Sequence, residues 1–150
     1  TRAADVLTYP SAGNISDTAG WAYAEFGTNY TGTVTGVHLV STIAGLDGIA
    51  AYLDTGNLSL FDGTLARAFK TYTASTSPTK VATTWGGTSS DGAIGGTIGT
   101  TRGFDGNMGF AANIGIGNNR VGTGNLFGTI RNVRIGQRQL SASEMQAITA

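Results

Sequence analysis

Gly124-Asn-Leu-Phe-Gly-Thr-Ile-Arg-Asn-Val-Arg-Ile-Gly-Gln-Arg-Gln-Leu-Ser-Ala-Ser-Glu-Met-Gln-Ala-Ile-Thr-Ala150 carries the sharpest structural signals in the chain. It reads as a turn, a strand, a basic connector and one short helix. Ser141-Ala-Ser-Glu144 fits a capping box, in which the serine hydroxyl and the glutamate carboxylate each satisfy a backbone N–H that the helix leaves over. Leu140 before the cap and Met145 at the fourth helical position have the spacing of a hydrophobic staple, and Ile148 extends the apolar stripe. A helix of about two turns is unstable alone in water. It must dock, and the strand before it is the expected anchor.

In that strand Val133 and Ile135 alternate with Asn132 and Arg134, the pattern of one buried and one solvated face. Ile130 is out of phase by one residue. A bulge near Arg131-Asn132 restores the phase, and burial on both faces accounts for it equally well.

This stretch resembles the C-terminal end of laminin-G-like and concanavalin A-like jelly rolls, through Gly128, Ile130, Val133, Arg134, Ile135, Arg138, Leu140, Ser141 and Glu144. The family usually has an aromatic after the isoleucine, where this chain has Gly136. Arg2-Ala-Ala-Asp-Val-Leu-Thr-Tyr9 and Lys80-Val-Ala-Thr-Thr-Trp85 also resemble such domains in bacteriophage tail and virion proteins. The resemblance implies an all-β fold: an antiparallel two-sheet jelly-roll sandwich with one short C-terminal helix.

Composition agrees with many short strands. Apolar residues make up 40% of the chain, enough for a core, and 24 glycines supply tight turns. At 150 residues a single lectin-like β-sandwich domain, 1–150, is expected. Asp5–Tyr9 reads as the first strand, stopped by Pro10, and Ser11–Gly20 as a loop. Trp21-Ala-Tyr-Ala-Glu-Phe26 alternates strictly, with Trp21, Tyr23 and Glu25 on one face and Ala22, Ala24 and Phe26 on the other. Val37–Ala44 reads as a strand buried on both faces. Ile49–Asp54, Asn57–Phe61, Arg67–Thr73 (Phe69 and Tyr72 on opposite faces), Lys80–Trp85, Ala93–Gly99 and Gly109–Gly117 follow. Asp47-Gly48, Asp62-Gly63, Asp91-Gly92 and Asp105-Gly106 each carry the hairpin signal of two positive-φ positions.

Only 12% of residues are charged, and nine basic side chains balance nine acidic ones. This excludes the dense cationic face that a nucleic-acid partner requires. Arg131, Arg134 and Arg138 read as solvated or paired. No cysteine is present, so there is neither a disulfide framework nor a thiolate metal site. The apolar runs fall short of a membrane span, and Thr1–Thr18 lacks the apolar core of a signal peptide.

The chemistry is decided largely by what is missing. His38 is the one histidine, set between apolar neighbours, and reads as a hydrogen-bonded structural residue. No Gly-x-Ser-x-Gly elbow accompanies it. Gly115-Ile-Gly-Asn-Asn-Arg120 lacks the third glycine and the helix of a dinucleotide site. Glycoside hydrolysis needs two carboxylates flanking the scissile bond. Hydrolases of related shape carry a pattern like Glu-x-Asp-x-x-Glu, absent here: Glu25 is flanked at i±2 by Tyr23 and Gly27, and Glu144 serves the cap. The chain reads as non-catalytic. Calcium, which many laminin-G-like domains hold at a loop rim, is the possible cofactor, with Asp47, Asp54, Asp105 and Asn107 as candidate ligands.

Sugars stack on aromatic rings while amides, carboxylates and guanidinium groups bond their hydroxyls. Trp21, Tyr23 and Glu25 offer such a platform, with a sheet-edge cover as the other reading of Trp21. Trp85 shares parity with Val81 and Thr83 and reads as core. Arg102, Phe104, Asp105 and Asn107 gather in one loop, and Asn118, Asn119 and Arg120 in another. Loops of this kind carry binding or are merely solvated turns. The expectation is a carbohydrate-binding, lectin-like module of a larger secreted or virion protein, extracellular or virion-associated, taking a polysaccharide or cell-surface glycan. The alternative is a structural or assembly domain of a phage tail or capsid decoration protein, self-associating within the virion.

Overall fold

A computed structural model describes residues 7–29, 36–42, 50–105, 112–118 and 126–150. Among them are twelve strands: β1 (Leu7–Pro10), β2 (Ala19–Thr28), β3 (Val37–Ser41), β4 (Ala50–Asp54), β5 (Asn57–Phe61), β6 (Ala66–Thr71), β7 (Thr79–Gly86), β8 (Ser89–Ile94), β9 (Thr97–Ile98), β10 (Arg102–Gly103), β11 (Asn113–Ile116) and β12 (Gly128–Gly136). One helix, α1 (Ala142–Thr149), follows them. The strands form two antiparallel sheets, in the orders β1-β11-β3-β4-β5-β6 and β10-β8-β7-β2-β12, with β9 paired to β8. This is the expected jelly-roll sandwich.

The core lies between the sheets. Phe26, Leu39, Leu53, Leu60, Trp85 and Ile114 are each at most 1% exposed there. Trp85 is core, as its parity predicts, and its Nε1 donates to the Ser16 carbonyl at 3.0 Å. The alternation of β2 also holds. Ala22, Ala24 and Phe26 enter this core, while Trp21 and Tyr23 join a second cluster on the outer face. In β3 a register irregularity between His38 and Val40 lets the neighbours Leu39 and Val40 both reach the core.

The capping box of α1 forms as its sequence requires. Ser141 Oγ accepts from the Glu144 N–H and Glu144 Oε2 accepts from the Ser141 N–H. Leu140 and Met145 are both buried. The anchor differs from expectation, because α1 lies over β7, β8 and β9 rather than β12. The Leu140 N–H donates to Thr84 Oγ1 at 2.8 Å and turns the connector back across the sheet. Met145 then packs with Tyr23, Ala82 and Ala93, and the Gly96 N–H donates to Thr149 Oγ1 at 3.0 Å.

Several turns also differ. Asp91-Gly92 is interior to β8, opposite Thr84 and Thr83. A Cβ on Gly92 would meet the Phe69 ring at 2.4 Å, so this glycine serves close approach between sheets. Gly95 and Gly96, at φ 54° and 75°, divide Ala93–Gly99 into the end of β8 and β9. The β4–β5 hairpin turns on Thr55-Gly56, both at positive φ. Asp62-Gly63 does lie in the β5–β6 connection, where the buried Asp62 carboxylate accepts from the Thr64 and Leu65 N–H groups and from Arg67 Nε. Asp47-Gly48 and Gly106 fall outside the described residues, as do Ile43, Ala44 and Ile49. Tyr72 lies beyond β6, so Phe69 and Tyr72 share the core instead of opposing faces, with Tyr72 tilted on Phe26 at 5.1 Å. Pro10 belongs to β1, which ends its sheet's order, a position where a missing N–H is tolerated.

Candidate functional site

The phase slip in the last strand is a bulge. Between Arg131 and Arg134 the register with β2 shifts, and Asn132 takes φ 51°, the left-handed conformation that asparagine tolerates better than most residues. Ile130, Val133 and Ile135 consequently all pack against the main core.

That inner face of β12 is one wall of a cleft of about 500 Å³. Ile116 of β11 and Tyr9 of β1 form the facing side, and Asn14, Arg131 and Asn132 also line it, the last two with their side chains turned to Glu25 on the outer face of the sheet. Tyr9 is 52% exposed, so its ring is open to a ligand. Asn14 is fixed by donation from its Nδ2 to the Pro10 carbonyl at 3.0 Å. Apolar walls with a few convergent polar groups are the usual make-up of a small-ligand site.

Behind the bulge, Glu25 organises the polar side. Its Oε1 accepts from Asn132 Nδ2 at 3.0 Å and from Tyr23 Oη at 2.9 Å, and its Oε2 accepts from Arg131 Nε at 2.9 Å. These bonds, that from Asn132 foremost, lower its pKa to about 2. Burial, and then the bond to Glu25, raises the pKa of Tyr23. The Arg134 guanidinium sits over the Tyr23 ring, 5.7 Å from its centroid.

The structure separates the residues singled out from sequence. Trp21, Tyr23 and Glu25 do share one face, but Tyr23 is only 5% exposed and belongs to the cluster beneath α1. Trp21 lies against Gly136, where a Cβ would fall 2.3 Å from its Nε1, so the indole covers the sheet edge. Phe104 is 4% exposed and part of the main core, so its ring is not offered to a ligand. Arg102 stands on β10, separated from β2 by β8 and β7, and its Nε donates to the Ala68 carbonyl. Asp105 pairs with Arg67 at 3.0 Å, and Arg67 also holds Asp62 at 2.7 Å. Asn118 is 2% exposed and donates to the Ile116 carbonyl. Asn107, Asn119 and Arg120 lie outside the described residues, as does Asp47 among the calcium candidates. Asp54 ends β4. The described residues contain no group of three or more His, Asp or Glu side chains able to hold a metal.

His38 also departs from expectation. Its ring stacks on Tyr52 at 5.5 Å, but its Nδ1 is buried without a hydrogen-bond partner among the described residues. The residues that sequence reasoning missed are Tyr9, Asn14, Arg131 and Asn132. The only local sign of them was the broken alternation at Arg131-Asn132.

No protein-family model matches this chain, and no curated protein sequence does. Solved structures do share its fold. Ruminococcus gnavus IT-sialidase CBM40, bound to α2,3-sialyllactose, aligns with TM-score 0.69 and 14% identity over 90% of this chain and 84% of that one. Domain 4 of AbnA, a GH43 extracellular arabinanase from Geobacillus stearothermophilus in complex with arabinotriose, aligns with TM-score 0.67 and 14% identity over 97% and 72%. Mouse laminin α1 domains LG4-5 align with TM-score 0.65 and 11% identity over 91% of this chain and 40% of that one. At these identities the likeness is one of fold: a concanavalin A-like, laminin-G-like jelly roll.

Proposed function

We propose that this jelly roll is a non-catalytic carbohydrate-binding module of an extracellular protein, and that its ligand lies in the cleft between β12 and β1. The observation that carries the reading is the cleft itself, with a half-exposed tyrosine beside an apolar wall and Asn14, Arg131 and Asn132 among its lining residues. A sugar presents the matching surfaces: a C–H face for the ring and the apolar wall, and hydroxyls for the Asn14 amide. The structural neighbours solved with sialyllactose and arabinotriose support the same ligand class. No helix of the described residues is long and apolar enough to cross a membrane.

The non-catalytic part rests on the cleft's lining, which includes neither Asp nor Glu among the described residues, and on the state of the two glutamates. Glycoside hydrolysis requires one carboxyl to stay protonated as general acid. Glu25 and Glu144 are both held near pKa 2, and each is bonded into its own element. Neither lines the cleft.

Affinity gel electrophoresis against a panel of polysaccharides tests the assignment. Tyr9→Ala is expected to abolish retention while the melting temperature stays within about 3 °C, the scale of a minor stability change. Unaltered retention by Tyr9→Ala, with loss in Trp21→Ala, would move the site to the outer face of β2. A light-scattering mass showing a stable oligomer, with no retention of any polysaccharide, would favour the virion assembly reading instead.

A further inference from the structure

Resting on the carbohydrate reading, we propose that the cleft selects glycans whose sugars carry a methyl-bearing substituent, an acetamido group or a 6-deoxy carbon, and that the aliphatic wall of β12 makes the selection.

The wall is Ile130, Val133 and Ile135, with Ile116 across from it. All three β12 side chains pack against the main core, yet they are only partly buried. β12 and β1 each end their sheet, and the cleft opens between them. The bulge assembles the wall. Strict alternation from Val133 and Ile135 would put Arg131 on this face in place of Ile130, and the register shift turns that arginine outward to Glu25 instead. An inward-pointing charge is a usual protection for a sheet edge, so its removal here leaves an aliphatic surface open to a ligand.

Few groups in the cleft can receive a hydroxyl. Arg131 and Asn132 commit their side chains to Glu25, and no other charged residue is among the lining. Asn14 remains: its Nδ2 donates to the Pro10 carbonyl, and its Oδ1 has no partner among the described residues. Tyr9 offers a flat ring for the C–H face of a pyranose. A hydroxyl turned from there to the aliphatic wall would lose water and gain no hydrogen bond, which costs free energy. A methyl group in the same place is stabilised by its burial. An acetamido group supplies both a methyl for the wall and an N–H for Asn14 Oδ1, so it is the preferred member.

The test is calorimetric titration at several temperatures with matched sugars on the galactose and glucose frames: the parent, its 2-acetamido derivative and its 6-deoxy derivative. Wild-type protein is expected to bind the acetamido member of at least one frame about fourfold or more tightly than its parent, the scale of one buried methyl group. The heat-capacity change on binding is expected to be more negative for that member, the mark of apolar burial. A gain shared by the 6-deoxy member identifies the methyl alone as the recognised group, and a gain confined to the acetamido member includes its N–H. Val133→Thr, which keeps the shape of the side chain and adds a hydroxyl to the wall, and Ile135→Thr are each expected to shrink the ratio, with urea midpoints confirming that the fold is kept. Equal wild-type affinities for the parents and both derivatives would overturn the proposal and leave the carbohydrate reading standing, as would a preference undiminished in both variants. Failure of every saccharide to bind, in this series and in the polysaccharide panel, would overturn both.

Discussion

Thr83 and Thr84 are neighbours in β7 with opposite fates. Thr83 Oγ1 is buried and has no hydrogen-bond partner among the described residues. Thr84 Oγ1 donates to the Gly20 carbonyl at 2.9 Å and accepts from the Leu140 N–H at 2.8 Å. A buried hydroxyl without a partner costs free energy, and one whose loss orphans two backbone groups is costly to remove. Thr83→Val is therefore expected to stabilise the fold by about 1 kcal/mol. Thr84→Val is expected to destabilise it by about 1–3 kcal/mol. Urea denaturation of both variants checks the pair, and a shift of the same sign in both would refute the assignment. Parity places the two on opposite faces of β7, but it does not report what waits on either face.

At the scale of elements, legibility followed distance along the chain. The capping box and the bulge depend on residues within a few positions of one another, so both could be read from the last stretch. Ser141→Ala should accordingly cost about 1 kcal/mol in thermal unfolding. The place where α1 docks was not legible, because the Thr84–Leu140 bond spans 56 residues. Asp91-Gly92 shows a second limit. A dipeptide cannot say whether its glycine is required for positive φ or for want of a Cβ, and Gly92 is required for the latter. Gly136 is a similar case. The family's aromatic at that position is missing because Trp21 occupies the space from the neighbouring strand. The cleft was the least legible feature, since Tyr9 and Arg131 come from far ends of the sequence and share no pattern.

The molecule as a whole should lose stability with acid in two stages. Burial lowers the pKa of His38 from its usual 6.5, so the fold disfavours the imidazolium. Above pH 6.5 the ring is neutral in both states and adds no pH dependence. Below it the unfolded chain takes up a proton that the folded ring resists, and stability falls until the folded ring also protonates. The second stage belongs to Glu25 and Glu144. Hydrogen bonds, from Asn132 first for one and Arg138 first for the other, bring both from 4.5 to about 2. Their contribution is complete above pH 4.5 and disappears as pH falls towards 2. Urea midpoints measured from pH 8 to pH 3 should show both stages, and His38→Gln should remove only the upper one.

β2 is flanked by β7 and β12, and the bonded pair Glu25 and Arg131 is 106 residues apart. One side of β2 therefore waits for a strand 106 residues further along the chain before its neighbour exists. Closing so wide a span is slow, and sandwiches dominated by such pairings mature in milliseconds to seconds rather than microseconds. Through that interval an apolar ribbon stands uncovered, so yield during synthesis depends on how quickly the closing strand reaches it.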